Sequence, residues 1–211
     1  MGLDMFLYKA KKQNNKTLEN IIDLNERINN GELTEKEKEE MIPFIFHIEV
    51  KEINYSYDSF FKEVMYWRKA NHIHNWFVKN IQNGNDDCNY YEVKDYDIED
   101  LLNTCEKVYE SLKDKETITK TEKYGNEIYS KQIYTENDSK LARELLPTVE
   151  GFFFGETDYD EYYFETLERT IEKLKDILKD FDFDNNYLIY STVTKTFDRN
   201  KIAKARLAIK F

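Results

Sequence analysis

The amino-acid sequence predicts an α+β fold: a single domain in which amphipathic helices pack on a mixed or antiparallel sheet, with a projecting β-hairpin. Helical and strand patterns are interleaved along the chain without strict repetition, which favours a mixed sheet. The 211 residues are enough for one substantial core, and 40% of them are hydrophobic, which is ample material to bury. We therefore expect residues 1–211 to form one domain.

The N-terminal quarter of the chain predicts a strand, two helices and a second strand. Residues 3–10 alternate between apolar and more polar side chains, as a half-buried strand does. A helix is predicted between Thr17, which can cap its first turn, and Gly31, which suits the end of a helix. Thr34 begins the capping box of a short helix, and alternation over residues 44–55 predicts the next strand.

The centre of the chain is predicted to hold its longest helix, from Asp58 or Ser59 to about Gln82. Helical spacing places five side chains on its buried face: Tyr66, Ala70, Ile73, Phe77 and Ile81. Trp67 and His74 would flank that face, whereas Arg68, His72 and Asn75 would lie opposite to it. His72 and His74 are then about 200° apart and cannot share one metal ion.

The next segments predict a helix and a hairpin. A short strand is expected at 90–93, followed by a helix over 97–112 whose apolar stripe places Cys105 in the core. Residues 116–135 are rich in Thr, Tyr, Ile and Lys around Gly125-Asn126, a pair that suits a tight turn. This range therefore predicts the projecting hairpin.

The C-terminal third predicts two helices and two strands. A short helix over 139–146 precedes a longer amphipathic helix over 158–179. Two strands are then expected within residues 187–211, and they would form a C-terminal β-hairpin with a basic face.

The charge of the chain is unevenly distributed. The formal net charge is −11 at pH 7, but residues 195–211 carry six basic side chains and one acidic one, so this tail is +5 and the remainder is −16. An acidic body repels the phosphate backbone, so we expect no direct nucleic-acid binding through it. A basic protein, such as a nucleic-acid-binding effector, is the expected partner.

The composition also predicts the compartment. No run of residues approaches the ~18 apolar residues of a membrane span, and the N-terminus lacks the pattern of a signal peptide. Cys88 and Cys105 have no nearby cysteine partners, which predicts neither a disulfide framework nor a thiolate metal cluster. We expect a cytoplasmic protein that does not engage a membrane.

One candidate ligand site lies between the predicted central helix and the segment from Gly151 to Gly155. Its candidate residues are Asp4, Trp67, Arg68, Asn71, His74 and Tyr159. A histidine at the margin of a core is more often a structural residue than a ligand. Both interpretations of His74 therefore stay open.

A candidate metal site is formed by carboxylates. Asp86 and Asp87 lie in a loop after the central helix, and Asp158 follows Gly155; each could bind a divalent cation. Neighbouring Asp residues are also ordinary turn formers, and the spacing matches no calcium-binding loop. The sequence assigns no catalytic residue and indicates no particular cofactor.

The segment from Gly151 to Glu161 has the outline of a phosphate loop, with a strand at 152–154, a glycine and a helix start. Its acids argue against that interpretation, because Thr157 is predicted to cap the helix and the following carboxylates complement the helix dipole. The six aromatic rings of residues 152–163 are either core residues or a surface for stacking or protein binding.

Three blocks pack glycine, aromatic and charged residues more specifically than generic elements need: Met1–Tyr8, Tyr66–Phe77 and Gly151–Glu161. With Asn83–Cys88 they resemble the MGLDM, YWRKANxIHxWF, NGxDDC and GFFFGxTDYDE motifs of a family of uncharacterised proteins encoded by bacteriophages and prophages. The resemblance implies a phage accessory role in a bacterial host. It supplies no activity or catalytic residues.

Two functions are compatible with these observations. The leading hypothesis is a non-catalytic binding protein that inhibits a host factor, such as an antiviral effector of the CRISPR type, since a negative surface can occupy a basic nucleic-acid channel. The alternative is a protein that binds a nucleotide or another small ligand, for example to sequester a signalling nucleotide, or a metal-assisted enzyme with its pocket at the central helix.

Overall fold

A four-stranded antiparallel sheet organises the fold, and its strands lie in the order Lys62–Arg68, Asp4–Lys11, Asn186–Val193 and Tyr91–Val93. The computed structural model describes residues 2–51, 55–125, 127–151 and 154–193. Its strands are β1 (Asp4–Lys11), β2 (Phe46–Val50), β3 (Tyr55–Ser59), β4 (Lys62–Arg68), β5 (Tyr91–Val93), β6 (Thr117–Tyr124), β7 (Glu127–Tyr134) and β8 (Asn186–Val193). Its helices are α1 (Leu18–Asn30), α2 (Glu35–Met41), α3 (Asn71–Asn80), α4 (Asp95–Leu112), α5 (Lys140–Leu145) and α6 (Glu161–Asp180). These elements confirm the α+β, single-domain prediction.

The sheet has apolar side chains on both faces. Met5 and Leu7 of β1 belong to the larger core cluster, which also contains side chains of α3, α4, α5 and α6. Ala10 of β1 belongs to a smaller cluster with Ile21 of α1 and Phe60. Because side chains alternate along a strand, β8 serves both clusters, with Tyr190 in the larger one and Ile189 in the smaller one. Burial on both sides fixes the sheet between two layers.

The predicted caps of α1 and α2, which depend only on neighbouring residues, are confirmed. Thr17 accepts a hydrogen bond from the backbone of Asn20, and Gly31 ends α1 in the left-handed region at φ 74°. Thr34 and Glu37 form the predicted capping box of α2. Cys105 is fully buried in α4, as expected.

The predicted helix from Asp58 to Gln82 is wrong. Residues 62–68 form strand β4, which pairs with β1 in a register that places Trp67 opposite Met5, and the helix spans only Asn71–Asn80. The expected buried and exposed faces are therefore wrong as well. Tyr66, which was expected in the core, is 37% exposed, whereas His72 and Asn75, which were expected on the opposite face, are buried. Seven consecutive residues of α3, 71–77, are buried, so this short helix has no solvent face over its first two turns.

The hairpin predicted at 116–135 is present as β6 and β7. Its turn end is exposed, while its base is attached to the body: Tyr134 is buried in the larger cluster, and its N–H donates to the carbonyl of Tyr159 over 2.8 Å. A second hairpin, which the sequence did not predict, joins β2 and β3.

In the C-terminal half, the expected cap of the long helix is wrong, and two expected strands lie largely outside the described residues. Helix α6 begins at Glu161 and is capped by Asp160, not by Thr157. The strand expected at 152–154 and the second strand and basic face of the predicted hairpin at 187–211 lie largely outside the described residues. None of the described helices combines the length and the apolar character that crossing a membrane requires.

Candidate functional site at the start of helix α3

Strand β4 passes into helix α3 through only two residues, Lys69 and Ala70. Lys69 has a positive φ of 56°, a left-handed conformation that costs a side-chain-bearing residue roughly 1–2 kcal/mol. Its N–H donates to the carbonyl of Leu3 over 2.7 Å, which extends the pairing of β1 and β4 by one bond. The chain is thereby turned sharply from a sheet edge into a helix.

The N-terminus of α3 has no side-chain cap. Ala70 occupies the capping position and offers no side-chain acceptor. Within the part of the chain that the structure describes, no group accepts a hydrogen bond from the backbone N–H of Asn71, His72 or Ile73, and the first bonded N–H is that of His74, to Ala70. These three residues are at most 3% exposed. Buried donors without acceptors are costly, and they lie at the positive end of the helix dipole.

Asn71 fixes the loop that lies beside this helix end. Its Nδ2 donates to the carbonyls of Phe154, over 3.2 Å, and Glu156, over 2.8 Å. Its Oδ1 accepts from the backbone N–H of Val149 over 3.2 Å. Both the nitrogen and the oxygen of the Asn71 side-chain amide therefore hold the loop.

Gly155 allows this loop to approach the β4–α3 turn closely. Its φ is +89°, which disfavours any residue with a side chain, and a Cβ at this position would lie 3.1 Å from Cβ of Lys69. The glycine therefore brings the loop backbone against Lys69.

A cavity of about 530 Å³ opens between the helix end and the loop. Its described lining residues are Arg68, Lys69, Asn71, His72, Lys131, Thr148, Gly155, Glu156, Asp158, Asp160, Tyr162 and Tyr163. A second cavity of about 770 Å³ shares Lys131, Gly155, Glu156 and Asp158 and continues along the hairpin to Lys120 and Tyr129. Each of these neighbouring cavities has a volume that suits a small organic ligand.

His72 is the most unusual side chain of this cavity. It is only 3% exposed, and its Nε2 has no hydrogen-bond partner among the described residues. Its ring packs against Tyr163 with 4.2 Å between ring centroids. Burial lowers the pKa of His72 to about 3, so the imidazole is neutral near pH 7.

The acids of the cavity are already engaged. Asp158 lies 2.7 Å from Nζ of Lys120 and 2.6 Å from Nζ of Lys131. Burial opposes its ionisation, but the hydrogen bonds from the two lysines outweigh that effect and lower its pKa. Glu156 also pairs with Lys131. Asp160 caps α6 by accepting from Tyr163 N–H over 3.0 Å, and burial raises its pKa.

The two cations at the helix end have no such partners. Neither Arg68 nor Lys69 forms an ion pair with any described carboxylate. The carbonyl of Arg68 accepts from the hydroxyl of Tyr162, which holds the end of β4 against α6. Both cations line the cavity together with three acids, of which Glu156 and Asp158 are paired with lysines.

The chain matched no family model, no curated protein and no solved structure. A function can therefore be proposed only from the sequence and the structure of this chain.

The structure brings together only part of the predicted ligand site. Arg68 and Asn71 line the cavity. Trp67 is fully buried and its Nε1–H donates to Oγ1 of Thr170 over 2.9 Å, linking β4 to α6. Tyr159 is 3% exposed, and its hydroxyl accepts from the N–H of Thr148. Asp4 points away from the larger core and accepts from the hydroxyl of Tyr66 over 2.6 Å.

His74 is a buried structural residue in this arrangement. Its Nδ1 lies 2.8 Å from the hydroxyl of Tyr190. Its Nε2 lies 3.1 Å from Oδ1 of Asp86 but outside hydrogen-bonding geometry. Burial lowers its pKa and the nearby Asp86 opposes that change. The side chain bridges α3, β8 and the loop after α3.

The three predicted metal ligands lie in separate environments. Asp86 is beside His74, and Asp87 binds the backbone N–H of Asn89 and the hydroxyl of Tyr91. Asp158 is paired with the two lysines of the hairpin. A search of the described residues found no group of three or more His, Cys, Asp or Glu side chains that could hold a metal ion.

The sequence missed two residues of the site, Lys69 and His72. A usable signal was present in residues 62–68, where Met65 and Trp67 alternate with more polar side chains as in a strand. A strand there would have moved the helix start to Asn71 and placed Lys69 in the turn.

Proposed function

We propose that this protein is a non-catalytic binding protein that inhibits a host factor by occupying a basic surface of that factor. One observation carries the proposal: the acidic face formed by α4 and α6. The two helices hold twelve acidic and five basic side chains. Such a face attracts a positively charged partner and repels nucleic acid.

The acids of α6 form a continuous stripe. Six carboxylates recur at spacings of three or four residues, and all six residues are exposed: Glu161, Glu165, Glu168, Glu172, Asp176 and Asp180. Residues at this spacing are neighbours on a helix, and like charges four residues apart destabilise it. The stripe therefore reduces the local stability of α6, which supports a role in binding.

The groove between α4 and α6 is also lined mainly by negatively charged side chains. It has a volume of about 630 Å³ and is lined by Glu106, Glu110, Glu168 and Glu172 with Tyr109, Ile171 and Lys175. Lys175 is already paired with Glu106 over 2.7 Å. Carboxylates beside a tyrosine and an isoleucine suit the long, partly apolar side chains of Lys and Arg.

A basic channel that binds nucleic acid is the surface that this face would occupy best. In the proposal the protein is an accessory protein of a phage and acts in the cytoplasm of the bacterial host, where it competes with nucleic acid for an antiviral effector. The resemblance to phage and prophage proteins and the charge of α4 and α6 both support this function.

The test is phage plating on bacteria that carry individual defence systems, with and without expression of this protein. Expression should raise plating on at least one defended strain and on no undefended one. The double variant Glu168→Lys/Glu172→Lys should lose most of that effect, because it reverses the charge of the groove. Glu39→Lys/Glu40→Lys on α2 makes the same change of charge at exposed positions elsewhere and should retain it.

Two results would contradict the proposal. One is that no defended strain responds to expression. The other is that the α6 and α2 variants lose the effect equally, which would assign it to net charge.

A further inference from the structure

The start of α3 combines three features that favour a negatively charged ligand. The first is the set of three backbone N–H groups of the buried residues Asn71, His72 and Ile73, which donate to no acceptor among the described residues. N–H groups at a helix N-terminus point along the axis at one place, and the helix dipole adds partial positive charge there.

The second feature is the side chain of His72, which is independent of the backbone N–H groups. Its side chain is 97% buried, lines the cavity and leaves Nε2 without a described partner. A buried polar atom normally has a hydrogen bond. A ligand in the cavity would supply one.

The third feature is the pair of cations, Arg68 and Lys69. Both line the cavity, and neither has an ion-pair partner among the described residues. Lys69 is held at the helix end by a left-handed backbone conformation and by the contact with Gly155. Of the three acids that line the cavity, Glu156 and Asp158 pair with Lys120 and Lys131, and Asp160 accepts from the N–H of Tyr163 at the start of α6.

We propose that this cavity binds the phosphate group of a small phosphorylated molecule. The N–H groups of Asn71 and His72, the two residues of this set that line the cavity, donate to the phosphate oxygens, and Arg68 and Lys69 balance the charge of the phosphate. The remainder of the molecule lies in the adjoining cavity along the hairpin, between Lys120 and Tyr129. The cavity shares no lining residue with the acidic groove between α4 and α6. The inference therefore goes beyond the proposed function and is tested independently of it.

The direct test is a titration of the ¹⁵N-labelled full chain with inorganic phosphate, followed by NMR. The amide signals of Asn71, His72 and Ile73 should shift and saturate. Acetate at the same ionic strength should give no saturable shift at these amides. The comparison with acetate distinguishes a phosphate-binding site from a site that binds any carboxylate.

The variant Arg68→Ala/Lys69→Ala should bind phosphate ~10-fold more weakly, because two charge-assisted contacts are removed. The matched control is Lys173→Ala/Lys179→Ala on α6, which removes the same charge at exposed positions and should leave the affinity unchanged. Should the double variant fail to fold, Lys69→Gly replaces it, since glycine suits the positive φ. Its expected effect is ~3-fold weaker binding.

Three results would overturn the proposal: shifts that do not saturate, shifts that are equal with acetate, or equal losses in the site and control variants. None of them bears on phage plating, and a failure of the plating test leaves this titration unaffected.

Discussion

His72 shows how much of a residue's role depends on what surrounds it. As a histidine in a polar stretch of sequence it was expected on a solvent face, but the structure places it 3% exposed against Tyr163. Its imidazole is neutral at physiological pH because burial penalises the charged form. A buried neutral histidine is a source of acid instability, since the unfolded chain binds a proton that the native chain does not.

This leads to a prediction for His72→Phe. The folded pKa is about 3 and the unfolded value is 6.5, so the wild type loses stability as the pH falls below 6.5, by about 1.4 kcal/mol per pH unit. The variant keeps an aromatic ring and lacks this loss. Its free energy of unfolding in urea should therefore rise relative to the wild type between pH 6.5 and pH 4.5.

The control for this experiment is His47→Phe, at an exposed position on β2. Its difference from the wild type should not grow in the same way. Parallel stability curves for His72→Phe and the wild type would show that His72 is protonated in the folded protein, contrary to the expected burial.

At the scale of elements, the β6–β7 hairpin is held to the body largely by charge. Lys120 of β6 and Lys131 of β7 both bind Asp158, and the hydrogen bond from Tyr134 to Tyr159 ties the base of β7 to the same loop. Apart from its base the hairpin buries little apolar surface, with Ile118 and Ile128 more than half exposed. Local opening of such a unit should be easier than global unfolding.

We expect Asp158→Asn to loosen the hairpin without unfolding the protein. The loss of one carboxylate that binds two lysines should cost about 1 kcal/mol locally, which corresponds to roughly fivefold faster amide exchange. Hydrogen–deuterium exchange should show this increase in β6 and β7 and not in α4. Glu136→Gln, at an exposed acid after β7, is the control, and equal exchange in both variants would contradict the anchoring role of Asp158.

At the scale of the whole molecule, the two apolar clusters are coupled through the central sheet. Tyr190 and Ile189 are consecutive residues of β8 and lie in different clusters. Loss of packing on one face should therefore destabilise the strand that the other face needs. This arrangement predicts one cooperative unfolding transition.

Ile21→Ala tests that coupling. Ile21 is fully buried in the smaller cluster, and its truncation should cost about 2–4 kcal/mol. Trp67 and Trp76 both lie in the larger cluster, so tryptophan fluorescence reports on the opposite face. The fluorescence midpoint in urea should move together with the midpoint from circular dichroism, whereas an unmoved fluorescence transition would mean that the faces unfold separately.

The sequence by itself determined the elements whose signals lie within a few residues. The caps at Thr17 and Thr34, the apolar stripe around Cys105 and the turn at Gly125 each depend on hydrogen bonds or packing between near neighbours. The sequence also indicated Arg68 and Asn71 as site residues, but it placed Arg68 within a helix, whereas Arg68 is the last residue of strand β4.

Only the tertiary structure decided that residues 62–68 are a strand. Their pairing partner, β1, lies some sixty residues away and contributes hydrogen bonds that no local pattern reveals. That pairing sets the turn at Lys69, so that α3 begins at Asn71 and His72 is buried. The physical reason is that caps and turns are formed by neighbouring residues, whereas strand pairing and burial depend on distant ones.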